Sequence, residues 1–364
     1  MSPRFVRRHI GQLLTASFPG TAVPVELREL AREFDIGAVS LFKRNVESPE
    51  QVAELSRELA DLGADLPAWV SVDQEGGRVA RLRAPFTEWP PMITLGRAGQ
   101  EDLARRFATA LGRELSEVGI TLDYAPVVDV LTTRTTQAIG DRAFSDDAQE
   151  VARLGAVVIR ALQAQGVAAC AKHFPGHGDT HVDSHETLPV LEAPPDRLDA
   201  VEWQPFRAAI EADVAFVMVG HLMVPSLDEV RPASLSEAIV RGRLRDHLRY
   251  AGPILTDDLD MGAVSRDRTA AELVIGAIAA GCDGVLICGG DVERQVLALE
   301  GLIRATETDA VSVTRIDDAL ARQRRAKERF LVDVRRRRPD RRAISAIVGC
   351  ADHQRVADEM AQFR

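Results

Sequence analysis

Along this chain, short apolar runs alternate with longer stretches in which apolar residues recur every three or four positions. The short runs have strand character, and the longer ones have the period of amphipathic helices. A run over 10–18 precedes a helical pattern over 24–34. A run over 37–42 precedes one over 48–63, with Ser48 as its N-cap and Pro49 at its first position. Runs at 67–77, 121–130, 167–174, 214–222, 252–259 and 283–288 are followed in the same way by helical patterns. Strands alternating with helices of this length imply a parallel sheet. Eight such units predict a closed (β/α)8 TIM-like barrel. The competing architecture is an open doubly wound sheet. No GxGxxG opens the first helix, which weakens a dinucleotide-binding reading.

A further helix is expected over 315–334, ending in the basic run RRRRPDRR at 335–342. Positive charge suits a solvated helix C-terminus, and this reading is preferred to a nucleic-acid surface. The last stretch, 343–364, is apolar enough to pack as a strand and a helix. The expected organisation is therefore one catalytic barrel over 1–330 and a helical C-terminal extension over 331–364. That extension packs on the barrel and has no assigned role.

Composition narrows the partners. Hydrophobic residues make up 46% of the 364, enough for a sizeable core, and the net charge of −10 argues against a nucleic-acid groove or an anionic membrane surface. No window approaches eighteen apolar residues, so no membrane span is expected. Cys170, Cys282, Cys288 and Cys350 fall mostly in apolar runs and read as small core residues in a reducing compartment. The N-terminal segment has basic residues before a modest apolar run, but Gln12 and Thr15 interrupt it and no A-x-A pattern follows. It reads as a first strand, and the expected location is the cytoplasm. A monomer is expected.

The polar residues gather where a barrel would use them. Active sites of such barrels form at the C-terminal ends of the strands. Those ends carry Asp73 to Arg78 with Arg81 beyond, Asp129, Lys172-His173, Gly220-His221 and Asp257-Asp258, and a long loop after the fourth run carries Gly140-Asp141-Arg142. Charges at strand ends are costly to bury unless paired or used. Five strands ending this way favour a site for a small, polar, multiply hydroxylated ligand.

The densest stretch is KHFPGHGDTHVDSH, residues 172–185, with four of the chain's eight histidines. Pro175, Gly176 and Gly178 forbid a regular helix. A metal site would need the four-residue histidine spacing to lie on a helix, so no metal is expected. A plain surface loop is the bland reading. A catalytic loop is preferred, because Asp183 and His185 share a face of an extended segment and a carboxylate beside an imidazole fixes its tautomer and raises its pKa.

This loop resembles the signature loop of family 3 glycoside hydrolases, in the β-N-acetylglucosaminidase branch. VDQEGGRVARL, APVVDV, IGDRAF and LTDDLDMGA are similar to that branch's other motifs, in the same order, and the resemblance covers roughly residues 10–330. It implies a single-domain barrel and retaining hydrolysis through a covalent glycosyl-enzyme, with no cofactor. Asp257 is implied as nucleophile, His185 as acid/base and Asp183 as its partner. Asp73, Arg81, Arg142, Lys172 and His173 match sugar-binding positions. The implied substrate is a carbohydrate with a terminal β-linked N-acetylglucosamine, often a muropeptide fragment released in cell-wall recycling. Asp260 stands where serine is commoner, and the loop over 131–136 is less typical.

Retaining enzymes usually place two carboxylates about 5–5.5 Å apart; here the histidine would replace one of them. Four other readings stay open. The acetamido oxygen of the substrate could attack in place of Asp257, with Asp257-Asp258 polarising it. A neutral histidine acid/base would also admit phosphate as acceptor, giving a glycoside phosphorylase. A zinc amidohydrolase and a non-catalytic sugar-binding protein complete the set.

Overall fold

The computed structural model describes residues 3–132, 138–180, 188–334 and 339–364. Eight parallel strands close into a barrel: β1 (Leu14–Ala16), β2 (Ala38–Leu41), β3 (Trp69–Val72), β4 (Leu122–Asp123), β5 (Ala168–Phe174), β6 (Phe216–Val219), β7 (Ile254–Asp258) and β8 (Gly284–Leu286). Each strand pairs with its neighbours in sequence, and β8 closes on β1 through Leu14 opposite Val285. This is the (β/α)8 architecture expected from the alternation of runs.

Helices surround the barrel. They are α1 (Pro3–His9), α2 (Val25–Phe34), α3 (Pro49–Ala60), α4 (Ile93–Ala98), α5 (Glu101–Glu117), α6 (Ala148–Gln163), α7 (Gln204–Glu211), α8 (Ala270–Ala280), α9 (Val292–Glu307) and α10 (Val313–Phe330). Between β6 and β7 the helical segment is irregular, a short turn at Glu237–Ile239 running into a π-helical stretch at Val240–His247. The helix starts are chemically marked. The Ser48 side chain accepts from Gln51 N at the head of α3, Asp147 from Gln149 N before α6, and Thr269 forms a capping box with Glu272 before α8. Phe107, Ala108, Leu111 and Leu115 of α5 recur at helical spacing and are all buried.

Strand periodicity sorts the core into two layers. Ala38, Trp69, Leu122, Ala168, Cys170, Phe216, Met218, Leu255 and Leu286 fill the inside of the barrel. Their strand neighbours Val39, Val70, Ala169, Val217, Ile254 and Val285 pack outward against the helices. Trp69 meets Phe216 edge-on at 5.2 Å, and Phe330 at the end of α10 lies 6.1 Å from Trp69, closing the N-terminal end of the barrel. Side chains two apart on a strand share a face. The inward ladder Trp69–Ser71 therefore continues to Asp73, Ala168–Cys170 to Lys172, and Leu255 to Asp257. The polar strand ends are the tops of inward-facing ladders.

Two expectations about elements are corrected. The run over 10–18 is not one strand: α1 and a 3-10 turn at Ile10–Leu13 precede a three-residue β1. Val6 and Ile10 are spaced four apart, and Ile10 and Leu13 three apart, which is helical spacing, and all three are buried. Gly37 permits the close fit, because a Cβ there would collide with the Gln12 carbonyl. The tail is not a strand and a helix but two helices, α11 (Arg341–Ile347) and α12 (Ala351–Ala361). A closed barrel offers no free edge for a further strand. Ile344 and Val348 instead bury at i, i+4, and Gly349 at φ 63° separates the helices. Among the described residues, no helix is long and apolar enough to cross a membrane.

Candidate active site

A cleft of about 190 Å³ opens over the C-terminal ends of the strands, and Asp73, Arg81, Arg142, Lys172, His173 and Asp257 all line it. Six of the eight expected site residues are thus brought together from β3, β5, β7 and two loops. Asp183 and His185 lie outside the described residues.

The cleft is built on a buried charge network. The Lys172 ammonium lies 2.7 Å from Asp73 Oδ1 and 2.6 Å from Glu75 Oε1. Arg142 holds Glu75 in a two-pronged pair, with both N–H···O distances 2.8 Å, and donates a third hydrogen bond to Ala138 O. Arg81 donates to Asp73 Oδ2 at 3.2 Å. Burial alone would raise the Glu75 and Asp73 pKa values, but the neighbouring Arg142, Lys172 and Arg81 charges hold both carboxyls below the usual range. Lys172 is raised by Asp73 and Glu75 against its own burial, so it stays charged. It serves as a donor rather than as a base.

Behind this layer, Asp129 orients the strand-five loop. Its Oδ2 lies 2.8 Å from His173 Nδ1, and its Oδ1 accepts from the backbone N–H of His173 and His177. The tautomer is fixed by the carboxylate, leaving Nε2 of His173 toward Arg142 at 3.5 Å. Lys172 and His173 are adjacent in sequence yet both line the cleft. The β5–β6 register shifts between Ala171 and Phe174, which breaks the strict alternation of faces there.

Asp257 stands at the end of β7. Its Oδ1 accepts from the Asp258 N–H at 2.8 Å. His173, His221, that N–H and Lys172 outweigh burial and keep its pKa below the usual carboxylate value. The ionised carboxylate is therefore the resting form. Of these neighbours, the two histidines contribute more than Lys172. His221 is buried and pinned between Ser234 Oγ at 2.7 Å and the Asp258 carbonyl at 3.0 Å, and burial lowers its pKa.

Asp258 differs from its neighbour. Its Oδ1 accepts from the N–H groups of Asp260 and Cys288, both at 3.0 Å, tying β7 to β8. Burial, with Asp260 and Asp257 nearby, pushes its pKa up to about 7. The departure at Asp260 thus acts mainly on Asp258, and Asp260 itself is engaged by Gly289 N and Arg294. An acid whose folded pKa exceeds its unfolded value of about 3.9 loses stability as pH rises through that interval. Asp258→Asn keeps an acceptor for both N–H groups and removes the titration. The melting temperature of this variant relative to wild type is expected to climb between pH 4 and pH 7 and then level off. A pH-independent difference would contradict the assignment.

Glu75 and Asp129 were visible at strand ends but were given no individual role from sequence, and Asp258 had one only in the substrate-assisted alternative. Among the described residues, no three His, Cys, Asp or Glu side chains converge as a metal-ion site. The three cysteines Cys170, Cys282 and Cys288 are buried free thiols, and Cys350 is partly buried.

The sequence and fold of this barrel match known proteins. The Glycosyl hydrolase family 3 N terminal domain matches residues 5–326. The chain belongs to glycosyl hydrolase family 3 and is a glycoside hydrolase of that family. It is 33% identical to β-hexosaminidase A of Pseudoalteromonas piscicida over 94% of this chain, and it spans 60% of that protein's length. A family 3 β-N-acetylglucosaminidase from a Paenibacillus species superposes with a TM-score of 0.90 at 36% identity, covering 98% of this chain and 68% of that one. NagZ from Neisseria gonorrhoeae, in complex with N-trifluoroacetyl-D-glucosamine, superposes at 0.80 with 29% identity, covering 96% and 97%.

Proposed function

We propose that this chain is a retaining exo-β-N-acetylglucosaminidase that removes terminal β-linked N-acetylglucosamine from muropeptide fragments during cell-wall recycling in the cytoplasm. The observation that carries the reading is Asp257, an ionised carboxylate on an inward strand position, facing the Asp73–Lys172–Glu75–Arg142 network. Carboxylates and cations at hydrogen-bond reach suit sugar hydroxyls. The relatives described as β-hexosaminidase and β-N-acetylglucosaminidase support the acetamido sugar as substrate.

In the proposed reaction, Asp257 attacks the anomeric carbon and the glycosidic oxygen leaves with a proton from His185. Water then attacks the glycosyl ester, giving its proton to His185 and freeing Asp257. Asp183 holds the imidazole as the carboxylate does in a Ser-His-Asp arrangement. Asp73, Arg81, Arg142, Lys172 and His173 bind the sugar. The barrel over 1–330 is the catalytic unit, and it acts as a monomer.

The test is hydrolysis of 4-nitrophenyl N-acetyl-β-glucosaminide beside the glucoside, in phosphate and in a phosphate-free buffer. Release from the acetamido sugar, independent of phosphate, is expected. Formation of a sugar 1-phosphate would transfer the chain to the phosphorylase class; Lys172 and Arg142 are already paired with carboxylates, which disfavours phosphate there. His185→Ala is expected to lower kcat about 10²–10⁴-fold on natural glycosides and less on 4-nitrophenyl substrates, whose leaving group needs little protonation. Turnover close to wild type on both would remove His185 from this role.

A further inference from the structure

The helices α11 and α12 lie outside the cleft, and the reaction proposed above gives them no task. They nevertheless connect to it through one buried carboxylate. Glu114 of α5 is 2% exposed and takes four hydrogen bonds. Two come from the tail, from Gly349 N at 3.0 Å and His353 Nδ1 at 2.8 Å. The other two come from Thr87, through its N–H at 3.1 Å and its hydroxyl at 2.6 Å. Thr87 is fully buried in the segment that follows the strand-three site loop. Gly349 also lies flush against that segment, since a Cβ there would collide with the Pro85 carbonyl.

From Thr87 the contact runs on to the cleft. Trp89 O accepts from Gly77 N at 2.8 Å. A Cβ on Gly76 would lie 2.8 Å from Pro90 O, and one on Gly77 would lie 2.8 Å from Pro91 Cβ. Gly76 and Gly77, both at positive φ, form the turn between Glu75 and Arg78. The short antiparallel strands Gln74–Gly76 and Val79–Ala80 flank this turn as a small hairpin; Gln74 Oε1 accepts from Arg81 N and Leu82 N, and its amide donates to Leu82 O. The turn that follows Glu75 and the segment carrying Arg81 thus rest on residues 82–91, and the tail holds that segment against α5. The tail is itself fastened by Arg106, which makes two 2.8 Å bonds to Glu359, and by Met360, which is fully buried.

We propose that residues 341–363 are a clasp that positions the sugar-binding hairpin at 74–82, with Glu114 and His353 as positioning residues. Neither touches the cleft, so the effect is on how well the free site is arranged for the sugar. A purely structural tail would add stability and leave affinity alone.

Two arms test this on the full-length chain. In the first, hydrogen–deuterium exchange compares wild type with His353→Ala, and amides over 74–92 are expected to exchange faster in the variant while those of β5–β8 keep their rates. In the second, which rests on the proposed hydrolase activity, KM for 4-nitrophenyl N-acetyl-β-glucosaminide is expected to rise about tenfold with kcat within about twofold. His353→Gln, which retains a donor toward Glu114, is expected to recover most of both effects. Gly349→Ala, which drives the tail from Pro85 while leaving His353 intact, gives the same readouts if His353→Ala does not fold. Unchanged exchange at 74–92, or a lower melting temperature with unchanged KM, overturns the clasp. Should wild type prove inactive on every glycoside, the functional reading fails and the exchange arm alone decides.

Discussion

Asp257→Asn is expected to lower kcat by about 10³-fold or more while KM changes little, because a nucleophile acts in the bond-making step rather than in binding. The substitution is nearly isosteric, and its carbonyl oxygen still accepts from the Asp258 N–H that Asp257 now holds at 2.8 Å. The fold therefore has little reason to move, and a loss of rate reports the missing negative charge. Wild-type enzyme incubated with a 5-fluoro N-acetylglucosaminyl fluoride is expected to gain the mass of the sugar on the peptide containing Asp257. The substrate-assisted alternative forms no enzyme ester, so an absent adduct with intact inhibition would favour it. Normal turnover by the asparagine variant would exclude Asp257 from the nucleophile role altogether.

The barrel was legible because its signal is redundant. Eight apolar runs each precede a helical pattern, and misplacing one end, as happened at Ile10–Leu13, does not change the number of units. What periodicity could not resolve is a short apolar stretch whose partner is unknown. Ile344 to Val348 reads equally well as strand or helix, and only the absence of an open barrel edge decides. The cleft was legible in part for a related reason. Asp73, Lys172 and Asp257 continue inward ladders of period two, so strand direction alone aims them at the barrel axis.

The residues given no role from sequence are those whose task depends on a partner distant along the chain. Glu75 faces Lys172 and Arg142 from nearly a hundred and nearly seventy positions away, and Glu114 meets His353 across more than two hundred. Nothing in local spacing marks such pairs. Asp257 and Asp258 make the same point at closer range. They share a dipeptide, yet two histidines hold one below the usual carboxylate range, while burial and Asp260 push the other up to about 7. Environment separates their chemistry where sequence shows only two acids in succession.

Glu75→Gln is expected to be the most destabilising single change in the cleft, at about 3–5 kcal/mol, the usual cost of leaving a buried charge without its partner. Glu75 is 2% exposed at its side chain and is the only described carboxylate that pairs with both Lys172 and Arg142. The amide keeps the shape but removes the charge, so Lys172 is left with Asp73, which already takes Arg81, and Arg142 loses the carboxylate it is paired with. The loss is pH-dependent in a definite direction. The folded pKa of Glu75 lies below its unfolded value of about 4.3, so its stabilisation is complete above that value and disappears as pH falls toward the folded one. The difference in unfolding free energy between wild type and variant is therefore expected to stay constant from pH 6 to pH 8 and to shrink only below about pH 4.3. Chemical denaturation across that range measures it. A gap below about 1 kcal/mol at pH 7 would mean that solvent, not Glu75, balances the cations, since exposed pairs contribute no more than that. In that case the network orients sugar-binding groups without stabilising the fold.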